Sequence, residues 1–154
     1  MGSFASGFTD GDVVDAADLN TIAGAWNSFT VTLTNVTLGN GTATAYKKKI
    51  GRLVCVWVKV VLGSTSSVTG SIRIDLPEAA SATESGSFNG EFYDSSVTAF
   101  YPAHILHNGT TFVTLRAVNT AGTYASAVAS SGTVPFTWAT SDWFLLSGIY
   151  EAAA

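Results

Sequence analysis

Leu53-Val54-Cys55-Val56-Trp57-Val58-Lys59-Val60-Val61-Leu62 is the stretch that decides the fold class of this chain. Successive side chains of an extended strand point to opposite faces. Val54, Val56, Val58 and Val60 therefore share one face, and Leu53, Cys55, Trp57 and Val61 share the other. β-Branched and aromatic residues favour pleated, packed surfaces. With almost every position apolar, the run predicts a strand buried on both faces, deep in a sandwich or beneath another subunit. It is too short to cross a bilayer, and no other apolar run approaches that length.

The same reading extends in both directions. Thr alternates with Val and Leu across residues 30–38, and the apolar parity shifts near Asn35, which predicts a bulge or bend. Asn40-Gly41 is a turn dipeptide, residues 42–49 form the next strand, and Gly51 breaks the connection to the central run. After a turn over 63–67, a strand at 68–76 stops at Pro77, and 78–86 is a loop. Further strands are expected at 87–93, 97–106, 111–118 (entered through a tight hairpin at Asn108-Gly109), 134–138 and 143–150. Residues 119–133 are rich in Ala, Ser and Gly and weakly patterned. Short strands at this spacing predict an all-β domain, a β-sandwich or jelly roll, over residues 29–154.

Residues 1–28 read differently. An arm over 1–14 carries Phe4 and Phe8 among small and polar residues. Asp15 is placed to cap a short helix reaching Trp26, the one helix expected, and Leu19, Ile22, Trp26 and Phe29 follow a 3-4-3 spacing. A helix of about three turns is marginal alone in water and needs a packing partner. That partner is either the chain's own sheet or a neighbour at a symmetry axis. Phe4, Phe8, Leu19, Ile22, Trp26, Phe29 and Trp57 are thus the expected anchoring and oligomerisation residues.

Charge supports a place in an assembly. Only 12% of the 154 residues are charged, against about 25% in ordinary domains. Surface charge normally opposes unwanted strand pairing, so burial of much of this surface against other subunits is expected. The net charge of −4 disfavours nucleic acid, which wants a basic face. Lys47-Lys48-Lys49 alternate between faces and make no single patch. Met1 to Ala5 lack the basic start and apolar run of a signal peptide, and the single cysteine, Cys55, cannot form an intrachain disulfide. Synthesis in a cytoplasm is the expectation, with no membrane partner.

Motifs of chemistry are sparse. His104 and His107, the only histidines, stand three apart and so on opposite faces of a regular strand, which argues against a shared metal. No nucleophile elbow, phosphate loop or dinucleotide fingerprint occurs. Of the carboxylates Asp75, Glu78, Glu84, Glu91 and Asp94, Glu91 and Asp94 are the candidates for a glycan-cleaving pair. Solvated turn and edge positions are the alternative. Trp57, Trp138, Trp143, Tyr93 and Tyr101 serve either as core anchors or as stacking surfaces for a sugar. The expectation is a protein that is not an enzyme and uses neither cofactor nor metal.

Two stretches carry a resemblance. Phe8-Thr9-Asp10-Gly11-Asp12-Val13-Val14-Asp15-Ala16-Ala17-Asp18-Leu19-Asn20 resembles the N-terminal segment of phage minor tail and related virion proteins. Leu33-Thr34-Asn35-Val36-Thr37-Leu38-Gly39-Asn40-Gly41-Thr42, with Tyr46, Gly51, Leu62-Gly63-Ser64-Thr65-Ser66-Ser67-Val68-Thr69-Gly70 and Leu76-Pro77, resembles a β-domain of virion proteins from phages of actinobacteria. The resemblance covers about the first half of the chain. It implies a homotrimeric accessory protein decorating or stabilising a capsid, made in the host bacterial cytoplasm and carried on the virion surface. Its partners would be copies of itself and the major capsid protein or tail proteins. The alternative placement is a minor tail or fibre knob that binds a host receptor or cell-wall carbohydrate.

Overall fold

The computed structural model describes residues 24–154. Ten strands occupy them: β1 Asn27–Ser28, β2 Leu33–Thr37, β3 Thr42–Ile50, β4 Leu53–Val61, β5 Ser67–Asp75, β6 Gly86–Asp94, β7 Ala99–Leu106, β8 Phe112–Asn119, β9 Ser126–Ala129 and β10 Trp143–Glu151. All pairings are antiparallel and unite the strands in one sheet of order β1-β3-β4-β10-β6-β7-β8-β5-β2, with β9 added beside β8. The all-β class expected from composition is observed. Hydrogen bonding draws one curled sheet, a half-barrel, and does not divide the strands into the two sheets of a sandwich or jelly roll.

Chain length requires the curl. β2 and β3 lie seven strand steps apart in the sheet, yet residues 38–41 alone connect them. Flat, those steps would span roughly 34 Å, whereas five peptide steps reach at most about 18 Å. The link between β4 and β5, residues 62–66, imposes the same limit. The two connections interlock: the Asn40 carboxamide oxygen accepts from the Thr65 N–H and hydroxyl, each at 2.9 Å, and the Asn40 N–H donates to the Thr65 hydroxyl at 2.9 Å. Gly39 turns there with φ +56°, and a side chain on it would strike Thr65. Asn40-Gly41 is therefore a crossing turn and not a hairpin.

The curl encloses one core. Val54, Val56, Val58 and Val60 of β4 are buried with Phe144, Leu146 and Tyr150 of β10, Phe92 of β6, Ile72 and Ile74 of β5, and Val113 and Leu115 of β8. Burying a side chain of this size stabilises by about 1.5–3 kcal/mol. Phe88 lies across Gly148, where any larger residue would collide with its ring. The Asn35 bulge is present: register between β2 and β5 shifts between Thr34 and Val36, and Asn35 adopts φ +63°. Gly51, at φ +58°, makes the two-residue turn between β3 and β4, where glycine alone enters that region without strain.

Several expectations need correction. The helix is not seen. Residues 15–23 lie outside the described residues, and the expected helical end, Gly24-Ala25-Trp26, is non-helical. Pairing of Asn27 with Lys47 and of Ser28 with Tyr46 draws the chain directly after Trp26 into the sheet. The expected strand at 134–138 is irregular chain, and β9 lies within the stretch read as unpatterned. There Ser130 replaces a strand contact: its buried hydroxyl donates to the Leu115 carbonyl at 2.8 Å and accepts the Ile72 N–H at 2.9 Å.

Candidate functional site

The strand that opened the sequence reading is buried on one face only. Within this chain its second face (Leu53, Cys55, Trp57, Lys59, Val61) is half-buried to exposed. Register extends this outward face across β3, β10, β6 and β7. One cross-strand row runs Tyr46, Trp57, Ser147, Asn89 and the next Thr44, Lys59, Leu145, Glu91, Pro102. A third runs Thr42, Val61, Trp143, Tyr93, Phe100, while Cys55 and Ile149 are neighbours beyond Trp57 and Ser147.

Two aromatic groups stand on this face. At one end Trp26, Tyr46 and Trp57 line a mainly apolar groove of about 300 Å³, with Tyr46 and Trp57 6.0 Å apart between ring centroids. Lys48 holds the chain there by donating to the Gly24 carbonyl at 2.6 Å. At the other end Trp143 stacks on Tyr93 at 5.1 Å, Phe100 packs against both, and the Lys59 ammonium lies 4.4 Å from the Trp143 ring centre. Phe100, 59% exposed, forms with Asn89, Glu91, Pro102 and Leu145 the walls of a shallow groove of about 380 Å³. Between the two groups the face carries Ser147, Asn89, Lys59 and Glu91 beside Leu145.

Of the residues expected to anchor the chain, Phe4, Phe8, Leu19 and Ile22 lie outside the described residues. Trp26 and Trp57 meet on the outward face. Phe29 does not join them: it packs against the enclosed core, and its N–H donates to the Ala45 carbonyl at 3.2 Å. In non-helical chain an odd spacing sends Trp26 and Phe29 to opposite sides, so the expected common face is absent. Trp26 is 48% exposed. Trp26→Ala is accordingly expected to lower fold stability by about 1 kcal/mol, well below the roughly 3–5 kcal/mol of a core aromatic. A urea titration checks this.

The carboxylate and histidine candidates separate in the same way. Glu91 points outward, whereas Asp94 turns into the β6–β7 connection, where its carboxylate accepts from the Ser96 N–H at 2.9 Å and hydroxyl at 2.6 Å. The two do not face a common cleft. Glu78 sits between Lys49, at 2.6 Å, and Lys47, at 3.1 Å. The Lys49 hydrogen bond, above all, holds its carboxyl below the usual range. Tyr150 fixes that loop by donating to the Glu78 carbonyl at 2.9 Å and accepting its N–H at 3.2 Å, and burial pushes the phenol up to about 12. Lys48 turns to the other face, so the three lysines do alternate.

His104 is exposed on β7, and His107 is 5% exposed beyond its end, packed edge-on to Phe88 at 5.2 Å. Among the described residues no His, Cys, Asp or Glu cluster could hold a metal ion. Among the described residues neither ring nitrogen of His107 has a partner, and burial lowers its pKa against an opposing pull from Glu84. A base whose folded pKa is depressed contributes stability above its unfolded value, about 6.5. That contribution is lost as pH falls through and below that value. Unfolding free energy is therefore expected to drop as pH falls below about 6.5, and His107→Phe should flatten that part of a stability–pH curve.

The outward face thus offers apolar contact and a few charges, with no assembled nucleophile, acid–base pair or metal ligand set among the described residues. No protein-family model, curated protein or solved structure matches the chain significantly.

Proposed function

We propose that this protein is a non-enzymatic structural component of a bacteriophage particle, a homotrimeric accessory protein that decorates or stabilises the capsid surface. The exposed apolar side chains on the outward face of β3, β4 and β10 carry this reading. Tyr46, Leu53 and Ile149 stand exposed there, a costly state for a free monomer and a useful one for a subunit covered by neighbours. The resemblance to virion proteins of residues 8–20, and of 33–42, Tyr46, Gly51, 62–70 and 76–77, points the same way. The major capsid protein and further copies of the chain are the partners. Fractionating purified particles and locating the chain by labelled electron microscopy tests the reading; its absence from particles refutes it.

The groove beside Phe100 favours a second reading, a tail knob binding a host-surface glycan. An exposed ring can stack on the apolar face of a sugar while Asn89 and Glu91 meet its hydroxyls. Host cell-wall glycan binding that disappears in Phe100→Ala would support this placement. Label at the capsid and not at the tail counts against it.

A further inference from the structure

We infer that the outward face of β4, β10 and β6 pairs with the same face of a second copy across a two-fold axis running along β10. This rests on the reading above only in taking the face to be covered; the occupant comes from the pattern of residues around β10. Register places Lys59 of β4 and Glu91 of β6 on either side of Leu145 in one row. They lie two strand spacings apart, roughly 10 Å, and form no ion pair with each other. Among the described residues Glu91 has no ion-pair partner at all. The flanking rows have β10 at their centre as well: Val61, Trp143, Tyr93 on one side and Trp57, Ser147, Asn89 on the other.

Rotation by 180° about β10 lays β4 of one copy over β6 of the other. Lys59 then faces Glu91 of the partner subunit, and Glu91 faces Lys59 of the partner subunit. Leu145 meets its own equivalent, and Val61 meets Tyr93 of the partner subunit. Each two-fold contact thus closes two ion pairs around an apolar centre, the self-complementary arrangement an isologous interface requires. The competing two-fold axis, in the same plane but across the strands, would set Lys59 against Lys59 of the partner subunit and Glu91 against Glu91 of the partner subunit. Like charges brought together oppose that arrangement.

Curvature limits the strength of the contact. The core fills the inside of the curl, so the outward face is convex and touches its equivalent mainly along β10 and its two neighbours. Such a contact falls at the small end of specific interfaces and responds to concentration and salt. It can join one trimer to the next without being the three-fold contact itself.

Sedimentation equilibrium of the full chain over a range of concentrations tests the inference. The expected result is a mass-doubling step that Lys59→Glu and Glu91→Lys each weaken at least tenfold, and that the double reversal restores to within about threefold. Thermal unfolding verifies that each variant keeps its fold. In a second test Ser147→Cys, on the axis, in a Cys55→Ala chain should be joined into covalent pairs by a short thiol crosslinker. Val97→Cys, in the exposed β6–β7 connection, should not. Absence of a doubling step, single reversals without effect, or a double reversal that fails to rescue would each overturn the contact. Particle location is scored separately. A chain present in virions but indifferent to the reversals loses the two-fold contact and keeps the proposed function; rescue in a chain absent from virions does the opposite.

Discussion

Phe144→Ala is expected to lower unfolding free energy by about 3–5 kcal/mol. Phe144 is fully buried near the start of β10, with Val60 opposite on one side and Phe92 on the other. The Trp138 ring sits edge-on to both phenylalanines, 6.0 Å from Phe144 and 5.6 Å from Phe92. Truncation removes contacts to the two neighbouring strands and to the loop that carries Trp138, and strand backbones locked in one sheet cannot close the gap. Domains of this kind have roughly 5–15 kcal/mol in total, so this single change consumes a large fraction of it. Phe144→Leu keeps much of the volume and should cost under about 1.5 kcal/mol. Urea midpoints at constant slope distinguish the two; equal midpoints would mean that Phe144 is not a centre of the core.

The inner half of this architecture was legible because burial imposes a period of two. Val54, Val56, Val58 and Val60 announce one buried face, and Asn35 announces its bulge through a shift in parity. The outer half was not legible in the same way. Leu53, Cys55 and Trp57 look as apolar as the valines between them, and sequence cannot say whether a second apolar face is covered by the same chain. Trp26 and Phe29 failed for a related reason: their spacing fits one helix face, but Asn27–Ser28 pair with β3, and in non-helical chain that spacing means opposite sides. Strand order was also beyond local pattern. Asn40-Gly41 reads as a hairpin turn, yet it links strands seven places apart in the sheet, and only the reach of the chain against the width of the sheet reveals the curl. Lys59 and Glu91 became a candidate pair only through register, since 32 residues separate them in sequence and Leu145 stands between them in space.

Asp142→Ala is expected to cost roughly 3–4 kcal/mol, through stranded hydrogen-bond donors and not through lost apolar contact. Asp142 is 0% exposed. One carboxylate oxygen accepts from the Ser95 N–H and hydroxyl, both at 2.8 Å, and the other accepts from the Ala139 N–H at 2.6 Å. The residue thereby ties the β6–β7 connection to the turn that launches β10. Its backbone continues the tie, since the Asp142 carbonyl accepts the Leu62 N–H at 2.8 Å and the Ser141 N–H donates to the Leu62 carbonyl at 2.8 Å. Hydrogen bonds to a charged group are worth about 1.5–3 kcal/mol each, and a buried donor left unmet costs about 1–3 kcal/mol. The Ser95 hydroxyl retains the Thr140 carbonyl, at 3.2 Å, so the two N–H groups dominate the loss. Asp142→Asn offers one acceptor and turns an amide donor toward the other N–H, so about half the penalty should remain. Asp94 makes the contrast: though itself 8% exposed, it meets only the exposed Ser96 of its own turn, and Asp94→Ala should cost about 1 kcal/mol. Chemical unfolding of the three variants should rank Asp142→Ala first, Asp142→Asn next and Asp94→Ala last. Equal losses for Asp142→Ala and Asp94→Ala would show that the carboxylate serves its own turn alone and does not join the two connections.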